Sequence, residues 1–404
     1  MKLTKYIYGV ALGVLSLSFA SCYNADKEFP DFEGGTTAYF AYQFPVRTII
    51  LGNDIYDNTL DNAHKCQIWS TMGGAYNGRN AVVEIAVDNS LCDNLFFPDE
   101  GGNAASPVLP MPAEYYKLAS NSIPYNGDVR GKVEVQLTDA FFNDPKSMEN
   151  TYVIPIVMKN VSGIDHILTG TPRESDAVRQ NTSAWDVLAK DYVLYCVKYM
   201  NPWQGRYIRR GQDKITEGAA DSIIIRMDTT LIGSDPGRYT ENPVNANDEV
   251  CSIITKDMKT CLFPTSIRRI TYDMEDPQNP KLNPAISCTL ILTFDGNKCT
   301  ITTEDDDATV VGTGEFIVNG TEQAAYKEFQ WGSMNGKPVQ RDILRLSYNV
   351  TFNKGKYLYT KKDKAGKDVK VYLKDDMTVA ASDTLVVQTR ESNKKEFFTP
   401  LYIK

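Results

Sequence analysis

The chain has 404 residues, enough for two or three domains, and carries 43 Lys+Arg against 51 Asp+Glu. Its formal net charge of −8, with no basic block, argues against nucleic acid as a partner, because phosphate repels an acidic surface. Eight cysteines without a Cys-x-x-Cys, and only two histidines (His64 and His166), leave zinc and redox motifs unsupported.

The first segment reads as an export signal. Lys2 and Lys5 give a positive start, residues 6–20 are mostly apolar, and small residues follow. The run is too short to span a bilayer comfortably, so residues 1–21 are set apart from the fold as a signal peptide. Two cuts compete. Ser18-Phe19-Ala20 suits an ordinary signal peptidase, whereas Phe19-Ala20-Ser21-Cys22 resembles a bacterial lipobox, with Phe19 where Leu is commoner. In the second reading Cys22 is the lipidated first residue of the mature chain. The following YNADKEFPDFE, with Asp26, Glu28, Asp31 and Glu33, looks like the acidic surface-export tag of lipoproteins in Bacteroides-type bacteria. The competing reading is a free thiol near a soluble N-terminus. We take the lipid reading and expect 22–35 to be a lipidated, flexible tether. No second apolar run is long enough to cross a membrane, so anchorage rests on the N-terminus.

Beyond the tether the dominant pattern has period two. Val83-Glu84-Ile85, then Val133, Val135 and Leu137, alternate with polar residues, as do Ile286, Cys288, Leu290, Leu292 and Phe294. Leu344, Leu346, Tyr348, Val350 and Phe352 do the same, and so do Val369, Val371 and Leu373. Each reads as a strand with one wet face. Residues 152–158 form an apolar run broken by Pro155, which predicts an edge strand or a bulge. The turn-rich stretch 163–183 marks a seam. The expected fold class is therefore all-β. An immunoglobulin-like β-sandwich over 36–165 is followed by a linker at 166–184 and an up-and-down β-barrel over 185–404. The turn 295–298 sets Cys299 across from Phe294. Cys288 then lies roughly 20 Å up its strand, beyond disulfide reach.

Two segments carry a family resemblance. MPAEYYKLASNSIPYNGDVRGKVEVQLTDAFFND (111–144) and TYVIPIVMKNVSG (151–163) resemble the N-terminal domain, called DUF1735, of Bacteroides outer-surface lipoproteins. That domain is an immunoglobulin-like sandwich and also stands before catalytic modules. KYMNPWQGRYIRRG (198–211) looks like the entry to the lipocalin-like barrel that follows it in such proteins. The resemblance implies capture of an oligo- or polysaccharide at the outer face of the cell outer membrane. It also implies, as partners, an outer-membrane importer and its binding lipoprotein. It does not imply which glycan.

Glycan binding needs flat aromatic faces beside amides or carboxylates. Trp331, between Gly- and Asn-containing turns, is a candidate platform, with Gln330 and Asn335 as hydroxyl partners; the bland alternative is a Trp closing a barrel end. Trp69, in IWSTMGGAYNGR (68–79), is a second candidate, weighed against a strand that turns it into the core. Trp203 and Tyr207 read as plugs of the barrel floor, and Trp185 as packing between domains. The acid run 304–307 lacks the alternation of a calcium loop and reads as a solvated hairpin tip, so no metal or cofactor is expected. No nucleophile elbow, zincin, P-loop or dinucleotide motif occurs, and Gly312-Thr313-Gly314 lacks the third glycine of a dinucleotide loop. The preferred reading is a non-catalytic, glycan-binding surface lipoprotein. Its rivals are an adhesion lipoprotein that binds protein, and a glycosidase using a pair among the 51 acids.

Overall fold

The computed structural model describes residues 30–54, 56–218, 220–226, 249–273, 276–329, 333–334, 336–391 and 396–403. These are almost entirely β, as expected, in a sandwich followed by a closed barrel.

One sandwich sheet runs in the order His166–Ile167, Thr37–Tyr39, Lys65–Gly73, Arg130–Leu137, Tyr116–Leu118. The other runs Glu396–Phe397, Pro45–Ile50, Tyr192–Met200, Tyr152–Ser162, Val82–Val87, Ser122–Pro124. Between them lies a core that includes Ala38, Ile68, Val83, Val133, Val135, Phe141, Ile154 and Val197. The second sheet is also covered on its far side, where Val153, Val157, Leu194 and Cys196 pack against Leu91, Leu95, Phe97 and Phe398. That double burial explains the unbroken apolar runs of the two middle strands, since neither has a wet face.

Two expectations change here. Pro155 is not on an edge: its strand is central, flanked by Tyr192–Met200 and Val82–Val87. Pairing with Val82–Val87 reaches only Ile156–Val87, so the proline sits where that ladder has ended, and its carbonyl accepts the Asp88 amide at 2.9 Å. The bulge falls instead between Met158 and Asn160. The seam is also later than the turn-rich stretch suggested. Tyr192–Met200 belongs to the sandwich, and the C-terminal strands Glu396–Phe397 and Leu401–Tyr402 return to it. Trp185 accordingly packs on the sandwich's outer cluster, its Nε1–H donating to the Val178 carbonyl at 2.9 Å.

The barrel closes through eight antiparallel strands: Gly205–Glu217, Glu249–Thr255, Thr260–Asp273, Asp276–Asp295, Lys298–Thr303, Ala308–Ile317, Ile343–Phe352 and Met377–Thr389. The last pairs with the first from Arg206–Thr389 to Glu217–Met377, which leaves no open edge between them. Ala220–Arg226 pairs with the far half of Gly205–Glu217. The hairpin Tyr357–Lys362/Asp368–Tyr372 forms its own two-stranded sheet, with Leu358 packed against the barrel core. Trp203 and Tyr207 plug one end as expected. Trp203 lies flat on Phe294, with centroids 3.8 Å apart and planes 6° apart, and Tyr207 donates its hydroxyl to the Trp203 carbonyl at 2.6 Å. Phe294 pairs with Cys299, the register expected from the turn, and the seven described cysteines form no disulfide with one another.

Candidate functional site

Of the candidate residues, Cys22, Gln330, Trp331 and Asn335 lie outside the described residues. Trp69 is described, and it does not turn inward. Along Lys65–Gly73 the residues Cys66, Ile68, Ser70 and Met72 are buried, which puts Gln67, Trp69 and Thr71 on the outer face. Trp69 is 44% exposed.

Register gathers its neighbours. Lys132 pairs with Trp69, and both Arg130 and Tyr39 pair with Thr71. Residues directly opposite in a ladder share a face, so Tyr39, Trp69, Arg130 and Lys132 stand on one side of one sheet. The Arg130 guanidinium lies 5.5 Å and the Lys132 ammonium 5.0 Å from the indole centroid. Gly73, in the next outward position, lies beside the Tyr39 ring, and a Cβ there would be in ordinary contact with its Cε1 atom at 3.5 Å. Lys65 and Glu134 pair at 2.7 Å on the same face. The result is an exposed aromatic surface edged with hydrogen-bond donors. Such a surface can hold a sugar ring by its C–H face and its hydroxyls by N–H groups.

Two other places are built differently. A cleft of about 520 Å³ is lined by Glu114, Tyr115, Asn143, Asp144, Lys146 and Tyr152. Tyr115 and Tyr152 both donate their hydroxyls to Asp144 Oδ2, at 3.0 and 2.6 Å, and the Lys146 amide donates to Oδ1 at 2.9 Å. Burial opposes charge on Asp144, but these donors outweigh it and hold the carboxyl below its usual range. Those hydroxyls are engaged within the fold.

The barrel interior contains an ionic layer. Buried Arg209 donates to Asp383 (2.7 Å), Thr265 (2.7 Å) and the Tyr348 hydroxyl (2.9 Å), and lies 5.0 Å from the Phe263 ring centroid. Burial works against its charge, but Asp383, followed by Tyr348 and Glu249, holds its pKa well above the usual value. Trp203 and Phe294 close one side of this layer; Ile215, Phe352, Met377 and Val379 pack on the other. Sequence reading missed the layer, although its signal was present. Asp383 occupies an inward phase of a strand whose other inward positions are mostly apolar, and Arg209 shares its inward phase with Tyr207, Asp213 and Ile215.

The acid run 304–307 is a surface turn. Glu304 pairs with Lys256 and Asp307 with Lys356, while Asp305 accepts the Thr289 amide. Among the described residues no group of three or more His, Cys, Asp or Glu is arranged to hold a metal. Nor is any described helix long and apolar enough to cross a membrane.

Comparison with known proteins matches residues 202–391 to DUF5627, a domain of unknown function, and residues 32–165 to an N-terminal-domain family model. No curated protein matches the chain. A Bacteroides ovatus protein of unknown function, known from a crystal structure, is 36% identical over 92% of this chain and 100% of its own, with a TM-score of 0.70. A multidomain protein including DUF1735, also from Bacteroides ovatus, covers 90% of this chain and 100% of its own at 11% identity. Its TM-score is 0.34. The DUF5627 match begins after Tyr192–Met200 and ends just past Met377–Thr389, so it frames the barrel. The barrel matches the DUF5627 model, and the chain belongs to the same Bacteroides-type family as the 36%-identical protein.

Proposed function

We propose that the protein is a non-catalytic surface lipoprotein that binds a glycan on the Trp69 face and helps deliver it to an outer-membrane importer. The observation that carries this reading is the outward Trp69, 44% exposed, on a sheet where Tyr39, Arg130 and Lys132 share its face. A large exposed aromatic on a rigid strand loses little entropy when a ligand stacks on it. Anchorage at Cys22 rests on the lipobox-like FASC and the acidic segment behind it. Tethering many copies to one membrane raises effective concentration and offsets weak individual sites. The absence of sequence motifs for nucleophilic, zinc or nucleotide chemistry supports binding without catalysis.

The test is calorimetric titration of the full chain, purified in detergent, against plant, host and microbial glycans. Heat released by at least one glycan and abolished in Trp69→Ala is the expected result. Silence across the panel, or binding indifferent to Trp69, overturns the proposal.

A further inference from the structure

We infer that the glycan on the Trp69 face is acidic, bearing carboxylate or sulfate groups. The inference rests on the glycan-binding reading and goes further by naming the ligand's charge.

The chain as a whole is acidic, at −8, yet this sheet is not. The charged Lys, Arg, Asp and Glu residues on its five strands are Lys65, Lys117, Arg130, Lys132 and Glu134. All five face outward: Lys65 and Glu134 by strand phase, Lys117 by pairing with Gln136, and Arg130 and Lys132 by pairing with Thr71 and Trp69. Four are cations and one is an acid, and that acid is held by Lys65 at 2.7 Å. The nearby Asp128 accepts the Arg130 backbone amide at 3.1 Å. Among the described residues neither the Arg130 guanidinium nor the Lys132 ammonium forms an ion pair; both rest beside the indole.

This arrangement has a chemical consequence. A neutral sugar stacked on Trp69 would meet two cations with nothing to neutralise. A uronic acid or sulfated sugar stacked there brings an anion to the ring's edge, within reach of a planar guanidinium suited to paired acceptance by two oxygens. The two long side chains swing off the indole as the sugar arrives and keep their positive ends at its margin. Because the cations are exposed, their attraction is screened by salt, and that sensitivity is itself a signature.

The experiment titrates the full chain in detergent with polygalacturonate and chondroitin sulfate, and with neutral xylan and mixed-linkage glucan, at low and high salt. Trp69→Ala, the double variant Arg130→Gln/Lys132→Gln, and double-stranded DNA as a non-sugar polyanion complete the set. Thermal melts confirm that each variant is folded. Expected is tighter binding of an acidic polymer, weakening about tenfold between roughly 50 and 500 mM salt. The double variant should lose about tenfold or more of that affinity, as removal of charge-assisted hydrogen bonds predicts, and Trp69→Ala should abolish binding. Neutral polymers bound as tightly as acidic ones through Trp69, with the double variant unchanged, overturn the acidic assignment and leave glycan binding standing. No polymer bound overturns both. Acidic polymers and DNA bound alike, regardless of Trp69, reveal simple polyanion attraction and also overturn the inference.

Discussion

Arg209 donates to Asp383 across 2.7 Å in the middle of the barrel, and both side chains are almost wholly out of water. Gly211, the cross-strand partner of Asp383, makes the pair possible: a Cβ there would lie 2.3 Å from Asp383 Oδ1 and 2.4 Å from the Ser382 carbonyl. Removing one partner of a buried pair strands the other charge, whereas replacing both with apolar groups need not destabilise. Asp383→Ala should therefore lower unfolding free energy by about 3–5 kcal/mol. Arg209→Met combined with Asp383→Leu should be milder than Asp383→Ala alone. Guanidinium-induced unfolding decides between them. Equal losses in the single and double variants would mean that the layer acts through shape and not charge.

A second prediction concerns acid stability. Asp144 joins Tyr115 and Tyr152, one from each segment that resembles the lipoprotein domain. Its carboxyl is held below the usual range, so its contribution is complete above the unfolded carboxylate value of about 3.9 and is lost as pH falls through the lower folded value. Asp144→Ala should destabilise by about 1–3 kcal/mol at neutral pH, since two buried-side hydroxyls lose their acceptor. The gap from wild type should narrow toward pH 3. Urea midpoints across that range measure it; a gap constant with pH would assign the loss to packing.

Thiol chemistry gives a third. Burial pushes Cys66, Cys92, Cys196, Cys261, Cys288 and Cys299 up to about 12, and among the described cysteines only Cys251 is partly exposed. A thiol reagent attacks the thiolate, so these six should be silent at pH 8 in the native protein and react on unfolding. Ellman titration of the folded chain should show at most Cys251 among the described cysteines. Rapid reaction of several would mean that the barrel or sandwich opens readily.

Much of this fold was legible in period-two alternation. The barrel staves read directly from residues such as Leu344, Leu346, Val350 and Phe352, and the turn at 295–298 set the Phe294–Cys299 register. Trp69 could have been placed by parity: Cys66, Ile68 and Met72 take the inward phase, so a residue at an odd number must face out. What stayed hidden depends on distant partners. Nothing local in Tyr192–Met200 says that it pairs with Pro45–Ile50, some 150 residues earlier, and that long pairing moved the seam. The return of Glu396–Phe397 to the same strand is equally non-local. The central placement of Pro155 could not be foreseen either, because it follows from where a neighbouring strand stops.

Arg390 supplies the fourth prediction. It is buried at the barrel's exit and donates to the carbonyls of Leu51 (3.2 Å), Asn53 (2.9 Å) and Asn201 (2.7 Å), which belong to the sandwich strands' ends and the crossing segment. Burial pulls its pKa below the ordinary arginine value. Arg390→Ala leaves three carbonyls without that donor, a loss of about 2–4 kcal/mol at the junction. Calorimetry should show a melt broader than that of wild type, or split in two, because sandwich and barrel keep separate cores. An unchanged, single transition would show that the C-terminal strands alone hold the two units together.

The last prediction separates stability from recognition on the Trp69 face. Trp69 is exposed, its contacts include two solvent-facing cations, and it fills no cavity. Exposed cation–π contacts contribute about 0.5–1 kcal/mol, so Trp69→Ala should shift unfolding free energy by no more than about 1 kcal/mol. Trp203→Ala, which removes the indole stacked on Phe294, should instead cost about 3–5 kcal/mol. If Trp69 is a ligand platform, its substitution removes glycan binding while the melt stays close to wild type. Trp69→Phe should restore part of the binding, because a smaller flat ring still offers a stacking face. A large loss of stability in Trp69→Ala would make the side chain a fold element and end its candidacy as a binding surface.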